Sequence, residues 1–253
     1  MKNIKKGLLF ISIVVMVFSF AACGGQEKDV YKVAMEPTFP PFDTTDSKTG
    51  ELSGFDVDLM EAIAADQGFE LEWSNMSFGG LISALQSGNI DIIASGMNAS
   101  DQRRKQVDFS DTYYDSGLVV AVKDGNTAIK SIKDLTPDMR VGGQIGTTGA
   151  DKCNELQKAG KIKEAKIYDG LDVAMMDLQN GTIDALINDL PVTKAYMKAK
   201  PGTIEIVGDV LNAESYGIAV KKGNKELLDQ INAGMKDIKD NGTFDKLYSK
   251  WFE

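Results

Sequence analysis

Two stretches of this chain, 93 positions apart, read almost alike: Leu85-Gln86-Ser87-Gly88-Asn89-Ile90-Asp91 and Leu178-Gln179-Asn180-Gly181-Thr182-Ile183-Asp184. Each runs from the end of an amphipathic helix, through a glycine suited to a left-handed C-cap, into a short apolar strand. Seven residues alone would also fit two unrelated junctions of one α/β protein. A second correspondence supports the repeat, because the strand at Val33 and the strand around Val141 each lead through a loop to a helix. The chain is therefore expected to form two α/β lobes. The repeated strands end at Ser95-Gly96 and at Asn188-Asp189. In open α/β sheets ligands sit outside the carboxyl ends of strands, so Ser95 to Asn98 and Asn188 to Asp189 should face each other across a cleft.

Local patterns place the elements. Tyr31 to Met35 reads as a strand, followed by a loop containing Pro37, Pro40 and Pro41 and then a helix over Phe55 to Ala65. Phe78, Leu81, Ile82 and Leu85 form one helical stripe ending at Gly88, and Ile90 to Ala94 reads as a buried strand. Leu227, Leu228, Ile231, Met235 and Ile238 make one late helical face. Phe244, Leu247, Tyr248 and Trp251 make another beyond Asn241-Gly242.

Composition removes whole classes of function. There is no histidine, which excludes Ser-His-Asp and Cys-His nucleophile systems and histidine-ligated zinc. The net charge of −9 argues against nucleic acid as a partner, and Cys23 and Cys153 cannot form a four-thiolate metal site. No cofactor or metal is expected.

At the N-terminus Lys2, Lys5 and Lys6 precede a run from Leu8 to Ala22 in which only Ser12 and Ser19 are not apolar. That run is too short to cross ~30 Å of hydrocarbon, which takes ~20 residues, so residues 1–22 are read as a signal peptide. Phe20-Ala21-Ala22-Cys23 resembles the lipobox of bacterial lipoproteins, with Phe20 where leucine is usual. Cleavage there leaves Cys23 carrying a diacylglyceryl thioether and residues 23–30 as a tether. The expected location is the cell envelope, at the outer face of the cytoplasmic membrane, held by a lipid anchor. The alternative is an ordinary secretory signal cleaved after Ala22, with Cys23 free.

Gly54-Phe55-Asp56-Val57-Asp58-Leu59 closely resembles the signature segment of the family 3 extracellular solute-binding proteins, the polar amino-acid receptors of ABC importers. Thr38-Phe39-Pro40-Pro41-Phe42, Asp108-Phe109-Ser110-Asp111-Thr112-Tyr113-Tyr114, Gly146-Thr147-Thr148-Gly149, Tyr216-Gly217-Ile218-Ala219-Val220 and the closing Asn241-Gly242-Thr243-Phe244 with Trp251-Phe252 stand in the family's order. The resemblance implies a two-lobed α/β fold of the type II periplasmic-binding-protein kind, with hinge crossings near Tyr114 to Ser116 and Asn212 to Tyr216. Lobe 1 would comprise residues 31–115 and 216–253, and lobe 2 residues 116–215. It also implies a monomeric binding protein, not an enzyme, that captures a polar or cationic L-amino acid with high affinity and delivers it to an ABC transporter permease.

A free amino acid presents a carboxylate, an ammonium and a side chain, and the resemblance assigns each a partner. Arg103 stands at the carboxylate-binding arginine, where a guanidinium fork can donate two parallel hydrogen bonds. Charge alone would favour a solvated basic face for Arg103-Arg104-Lys105, and the family spacing reverses that. Thr147 and Thr148 open a helix expected over Gly149 to Ala159, and Thr148 is expected both to cap it and to meet the carboxylate. Asp189 matches the ammonium-binding aspartate, although it could instead support the turn into the next helix. Gly96 is expected to offer its carbonyl to the ammonium. Asn98 occupies a position usually held by Ser or Thr, and its side-chain oxygen can still accept a proton. Phe39 and Phe78 match positions that flank the ligand side chain, with core packing as the competing role for Phe78. Glu36, unless it points to solvent, reaches the distal end and favours a cation, arginine first; lysine, glutamine, histidine and cystine remain open. Two other uses of such a cleft are a lipoprotein amino-acid sensor and a dehydratase acting on a prephenate-like acid.

Overall fold

The computed structural model describes residues 29–253, so the expected signal peptide, lipidated Cys23 and nearly all of the tether lie outside the described residues. The chain begins with β1 (Val30–Met35), the short β2 (Thr44–Thr45) and β3 (Leu52–Ser53), α1 (Phe55–Gln67), β4 (Glu70–Asn75), α2 (Phe78–Ser87), β5 (Ile92–Ile93), α3 (Asp101–Arg104) and β6 (Val107–Phe109). A first crossing, β7 (Tyr114–Ser116), leads to β8 (Leu118–Lys123), β9 (Arg140–Gln144), α4 (Thr148–Lys158), β10 (Glu164–Tyr168), α5 (Leu171–Asn180), β11 (Ala185–Asp189), α6 (Leu190–Ala199) and β12 (Ile204–Val207). A return crossing, β13 (Glu214–Tyr216), is followed by β14 (Ala219–Lys221), α7 (Lys225–Asp240) and α8 (Thr243–Phe252).

Two five-stranded sheets result, ordered β4-β1-β5-β14-β6 and β10-β9-β11-β8-β12. They correspond strand for strand. β1 lies between parallel β4 and β5, as β9 lies between parallel β10 and β11. The fourth strand of each is antiparallel and is the strand that follows a crossing, β14 after β13 and β8 after β7. The crossings pair with each other, with Ser116 opposite Glu214 and Tyr114 opposite Tyr216.

The repeated heptapeptide has one physical job in both places. Gly88 (φ 78°) and Gly181 (φ 74°) close α2 and α5 in the left-handed conformation. The aspartate that ends each copy then grips the neighbouring strand, β1 or β9. Asp91 Oδ2 accepts the Lys32 N–H (2.9 Å), while its own N–H donates to Lys32 O (2.8 Å). Asp184 repeats this with Arg140, at 2.7 and 2.8 Å. The strand expected over Ile90 to Ala94 is shorter, Ile92–Ile93, although Asp91 and Ala94 on either side still donate to Lys32 O and Ala34 O of β1.

Leu81 and Leu85 are wholly buried on α2, whereas Phe78 and Ile82 are only half-buried, so the stripe is narrower than its periodicity suggests. One apolar cluster packs α1 and α7 on the lobe 1 sheet and continues into α5 and β11 of lobe 2. Two smaller clusters fill the opposite faces of the sheets. Each buried Leu, Ile or Phe in them contributes about 1.5–3 kcal/mol.

Candidate functional site

The carboxyl ends of the central strands meet between the lobes. β1 runs into Glu36, which is 5% exposed. Its Oε2 accepts from Thr38 Oγ1 (2.9 Å) and from Gln144 Nε2 (2.9 Å), the latter at the end of β9 in the other lobe. Burial raises the Glu36 pKa above the usual carboxylate range. Thr38 Oγ1 also accepts the N–H of Leu171, which brings α5 onto the same loop.

The loop after Glu36 folds back through paired backbone bonds between Phe39 and Asp43 and lays the buried Phe39 ring over Gly96. Gly96 sits at φ +47°, and a Cβ there would lie 2.8 Å from the ring. No larger residue fits that turn. Its N–H donates to Asp56 Oδ2 at 2.6 Å.

Asn98, two residues on, is buried and directs its Nδ2 to Glu214 Oε2 (2.5 Å), Thr148 Oγ1 (3.2 Å) and Asp189 Oδ1 (3.3 Å), while its Oδ1 has no protein partner. Arg103, at the end of the single turn α3, is 7% exposed. Its two terminal nitrogens donate to Asn98 O and to Gly146 O of the opposite lobe, each at 2.9 Å, and its guanidinium lies 5.3 Å from the centre of the Phe78 ring. Those two bonds leave N–H donors of the fork unspent. Arg104 is exposed and lies over Phe109, so of the basic run only Arg103 turns into the cleft.

Lobe 2 supplies acids and hydroxyls. Asp189, at the end of β11, is 3% exposed, and its Oδ1 accepts from Tyr216 Oη (2.9 Å) and Ser116 Oγ (3.1 Å). Asp189 is the N-cap residue of α6, but its side chain makes no capping bond to that helix. Burial, reinforced by the Glu214 charge, pushes its pKa up to about 6.

The threonines divide the work differently from the sequence expectation. The helix begins at Thr148 rather than Gly149, and Thr147 is the cap, its Oγ1 accepting the Ala150 N–H at 3.1 Å. Thr148 is thereby released from capping and donates to Glu214 Oε2 at 3.1 Å. Both threonines suit an N-cap, and only the extended backbone of Thr147 (φ −89°, ψ 159°) selects between them.

Every predicted position thus lies on or beside one interlobe surface: Glu36 with Phe39 on one wall, Gly96, Asn98, Arg103 and Phe78 around the turn of lobe 1, and Thr148 and Asp189 opposite. Gln144 and Glu214 were missed. Gln144 is the residue at which β9 ends, as Glu36 follows β1, so the repeat carried a signal for it. Glu214 lies on a crossing strand, outside the repeat. Chemically the surface combines a buried cation with buried carboxylates whose charges act on it, which suits a ligand carrying both charges.

The family model for bacterial extracellular solute-binding proteins, family 3, matches residues 31–253. The chain is 33% identical to the "Probable histidine-binding protein" of Neisseria gonorrhoeae, over 99% of this chain and 96% of that one. It is 37% identical to the arginine-binding periplasmic protein of Mannheimia haemolytica, over 89% and 92%. Its fold superimposes with a TM-score of 0.84 on an ancestral arginine-binding protein bound to arginine, at 43% identity, covering 89% of this chain and 99% of that structure. A two-lobed α/β architecture, the cleft between its strand ends and a family match along nearly all of the described residues agree: the chain belongs to the bacterial extracellular solute-binding proteins of family 3.

Proposed function

We propose that this protein binds a free cationic L-amino acid, arginine first, between its lobes and delivers it to the permease of an ABC importer. In this reading Arg103 and Thr148 take the carboxylate. Asp189, with the Gly96 carbonyl and Asn98 Oδ1, takes the ammonium, and Phe39 and Phe78 flank the side chain. The observation that carries the choice of ligand is Glu36, an acid 5% exposed whose bonding partners, Thr38 and Gln144, are both neutral. A guanidinium supplies the positive charge that its surroundings lack. The names of the Mannheimia haemolytica protein and of the arginine-bound ancestral structure support the same choice.

The two bodies, residues 31–115 with 216–253 and residues 116–215, close about the paired strands β7 and β13. The protein works as a monomer without catalysis, cofactor or metal. Its leader and the Phe20–Cys23 motif support lipid anchoring at Cys23 on the outer face of the membrane. Among the described residues no helix is long and apolar enough to cross a membrane.

Calorimetric titration of arginine and glutamine, each into the unmodified protein and Glu36→Gln, tests the reading. Losing a charge-assisted hydrogen bond costs about 1.5–3 kcal/mol, so arginine affinity should fall roughly 10- to 100-fold while glutamine affinity changes little. Glutamine binding more tightly than arginine to the unmodified protein would refute the cationic preference.

A further inference from the structure

Behind the cleft wall lie two carboxyl groups that the binding scheme does not use. Asp43 is wholly buried and Asp56 is 1% exposed. They are held close by backbone bonds, because Asp43 follows Phe42, whose carbonyl accepts the Asp56 N–H at 3.1 Å at the start of α1. Gly54 makes that approach possible: any Cβ there would lie 1.9 Å from Phe42 O. Both carboxyls sit on one side of Gly96. Asp56 Oδ2 accepts the Gly96 N–H (2.6 Å) and the Tyr113 hydroxyl (2.9 Å), and a Cβ on Gly96 would lie 3.7 Å from Asp43 Oδ2.

Three of their four oxygens, both of Asp43 and Oδ1 of Asp56, are buried without a hydrogen-bond partner of good geometry. The groups around them offer no positive charge: Glu36 at the end of β1, Ser95 and Gly96 in the turn, and Tyr113 before β7 are acidic or neutral. Ser95 Oγ accepts the Glu36 N–H, and its own proton is the one neighbouring donor favouring an ionised Asp43. Two adjacent carboxylates in so dry a place cannot both carry charge. A single proton held by the pair removes one of the two charges.

We infer that Asp43 and Asp56 are positioning residues that share one proton and thereby fix the turn at Gly96 and the Phe39 loop that packs on it. The pair joins the three pieces of the lobe 1 wall, since Asp43 is bonded to Phe39 through the backbone, Asp56 opens α1 and Gly96 hangs from Asp56. The effect on affinity rests on the arginine-binding reading, whereas the effect on stability does not.

Folding takes up this proton. The stability it supplies is greatest at low pH and is lost as pH climbs from about 4, the ordinary aspartate value, through the raised values of the folded pair. Glu36 and Asp189 are raised by burial too and add a slope of the same sign.

The experiment compares Asp43→Asn, whose amide carries the hydrogen permanently, with Asp43→Ala, which lacks it. Ligand-free thermal unfolding is followed from ~pH 5 to ~pH 8, together with infrared spectra at neutral pH and arginine titration. Asn should give a shallower loss of stability with pH, remove a protonated-carboxyl band seen in the unmodified protein, and hold arginine affinity within about three-fold. Ala should weaken arginine about ten-fold or fail to fold. An unmodified protein with no protonated-carboxyl band, or an Asn variant with an undiminished slope, would overturn the shared proton. If arginine gives no heat with the unmodified protein while the band and slope behave as expected, the ligand assignment fails and the carboxyl pair stands.

Discussion

Lobe 1 and lobe 2 hold β1 and β9 with the same device, an aspartate that both accepts from and donates to the backbone of one strand residue, at Asp91–Lys32 and Asp184–Arg140. At the cleft ends of the strands beside them they diverge. β5 leads into a left-handed turn at Gly96 that exposes backbone and carries Asn98 and Arg103 beyond it, whereas β11 runs directly into α6 at Asp189, with Pro191 inside the first turn. β1 is followed by an eight-position loop, 36–43, that folds Phe39 over the site, while β9 reaches its helix through the short run from Ile145 to Thr147. The shared half determines where strand ends lie. The unshared ends determine what chemistry is placed there: aromatic rings, a guanidinium and the Glu36 carboxyl from one side, the Asp189 carboxyl and the Thr148 hydroxyl from the other.

The largest test of that division removes lobe 1's charge. Arg103→Ala takes away one side of a buried ionic contact, typically worth about 3–5 kcal/mol, so arginine affinity should drop at least 10²–10³-fold. Arg104→Ala, one residue away but exposed, should leave calorimetric binding nearly unchanged. Equal losses would break the assignment of the cleft to Arg103.

Lobe 2's charge gives a smaller and pH-dependent effect. A charge-assisted bond from Asp189 to an ammonium is worth about 1.5–3 kcal/mol. The carboxylate is the binding form, so arginine affinity should weaken as pH falls through about 6. The free protein alone responds in the opposite sense, since a raised carboxyl pKa stabilises it at low pH. Titrations on either side of that pH, repeated with Asp189→Asn, check this: the variant should bind more weakly at neutral pH and show less pH dependence.

The smallest effect probes the likeness itself. Asp91→Ala and Asp184→Ala each remove one backbone-gripping bond and should cost about 1 kcal/mol, with Asp184 the more costly because its bond is less exposed. The clamps lie in separate sheets, so the double variant should lose the sum in urea denaturation. A large excess in one lobe would mean that the repeated sequence does different work in its two settings.

The repeat was legible because it is local. A helix end, a left-handed glycine and a strand start lie within seven residues, and the aspartate that closes them reaches only the neighbouring strand. Arg103, Asp189 and Asn98 were legible through their places beyond the strand ends and through resemblance. Glu214 was not, because its partner Asn98 is 116 residues away and they meet only when both lobes and both crossings are formed. The exchange between Thr147 and Thr148 escaped notice for a subtler reason: side-chain chemistry is the same at both positions, and backbone conformation alone decides. Asp43 reads in sequence as a polar loop residue, and it is buried only because the neighbouring Phe42 docks against Phe55 and α8.

The late arrival of β14, the fourth strand of the lobe 1 sheet, sets an order of completion during synthesis. Every strand of the lobe 2 sheet comes from residues 118–207, so that sheet needs nothing made later. Lobe 1 is begun first and finished last: β6 pairs only with β14, which is made after the whole of lobe 2, and α7 and α8, which cover α1, come later still. A nascent chain therefore carries an incomplete lobe 1 sheet, with β5 an open edge, until β14 emerges.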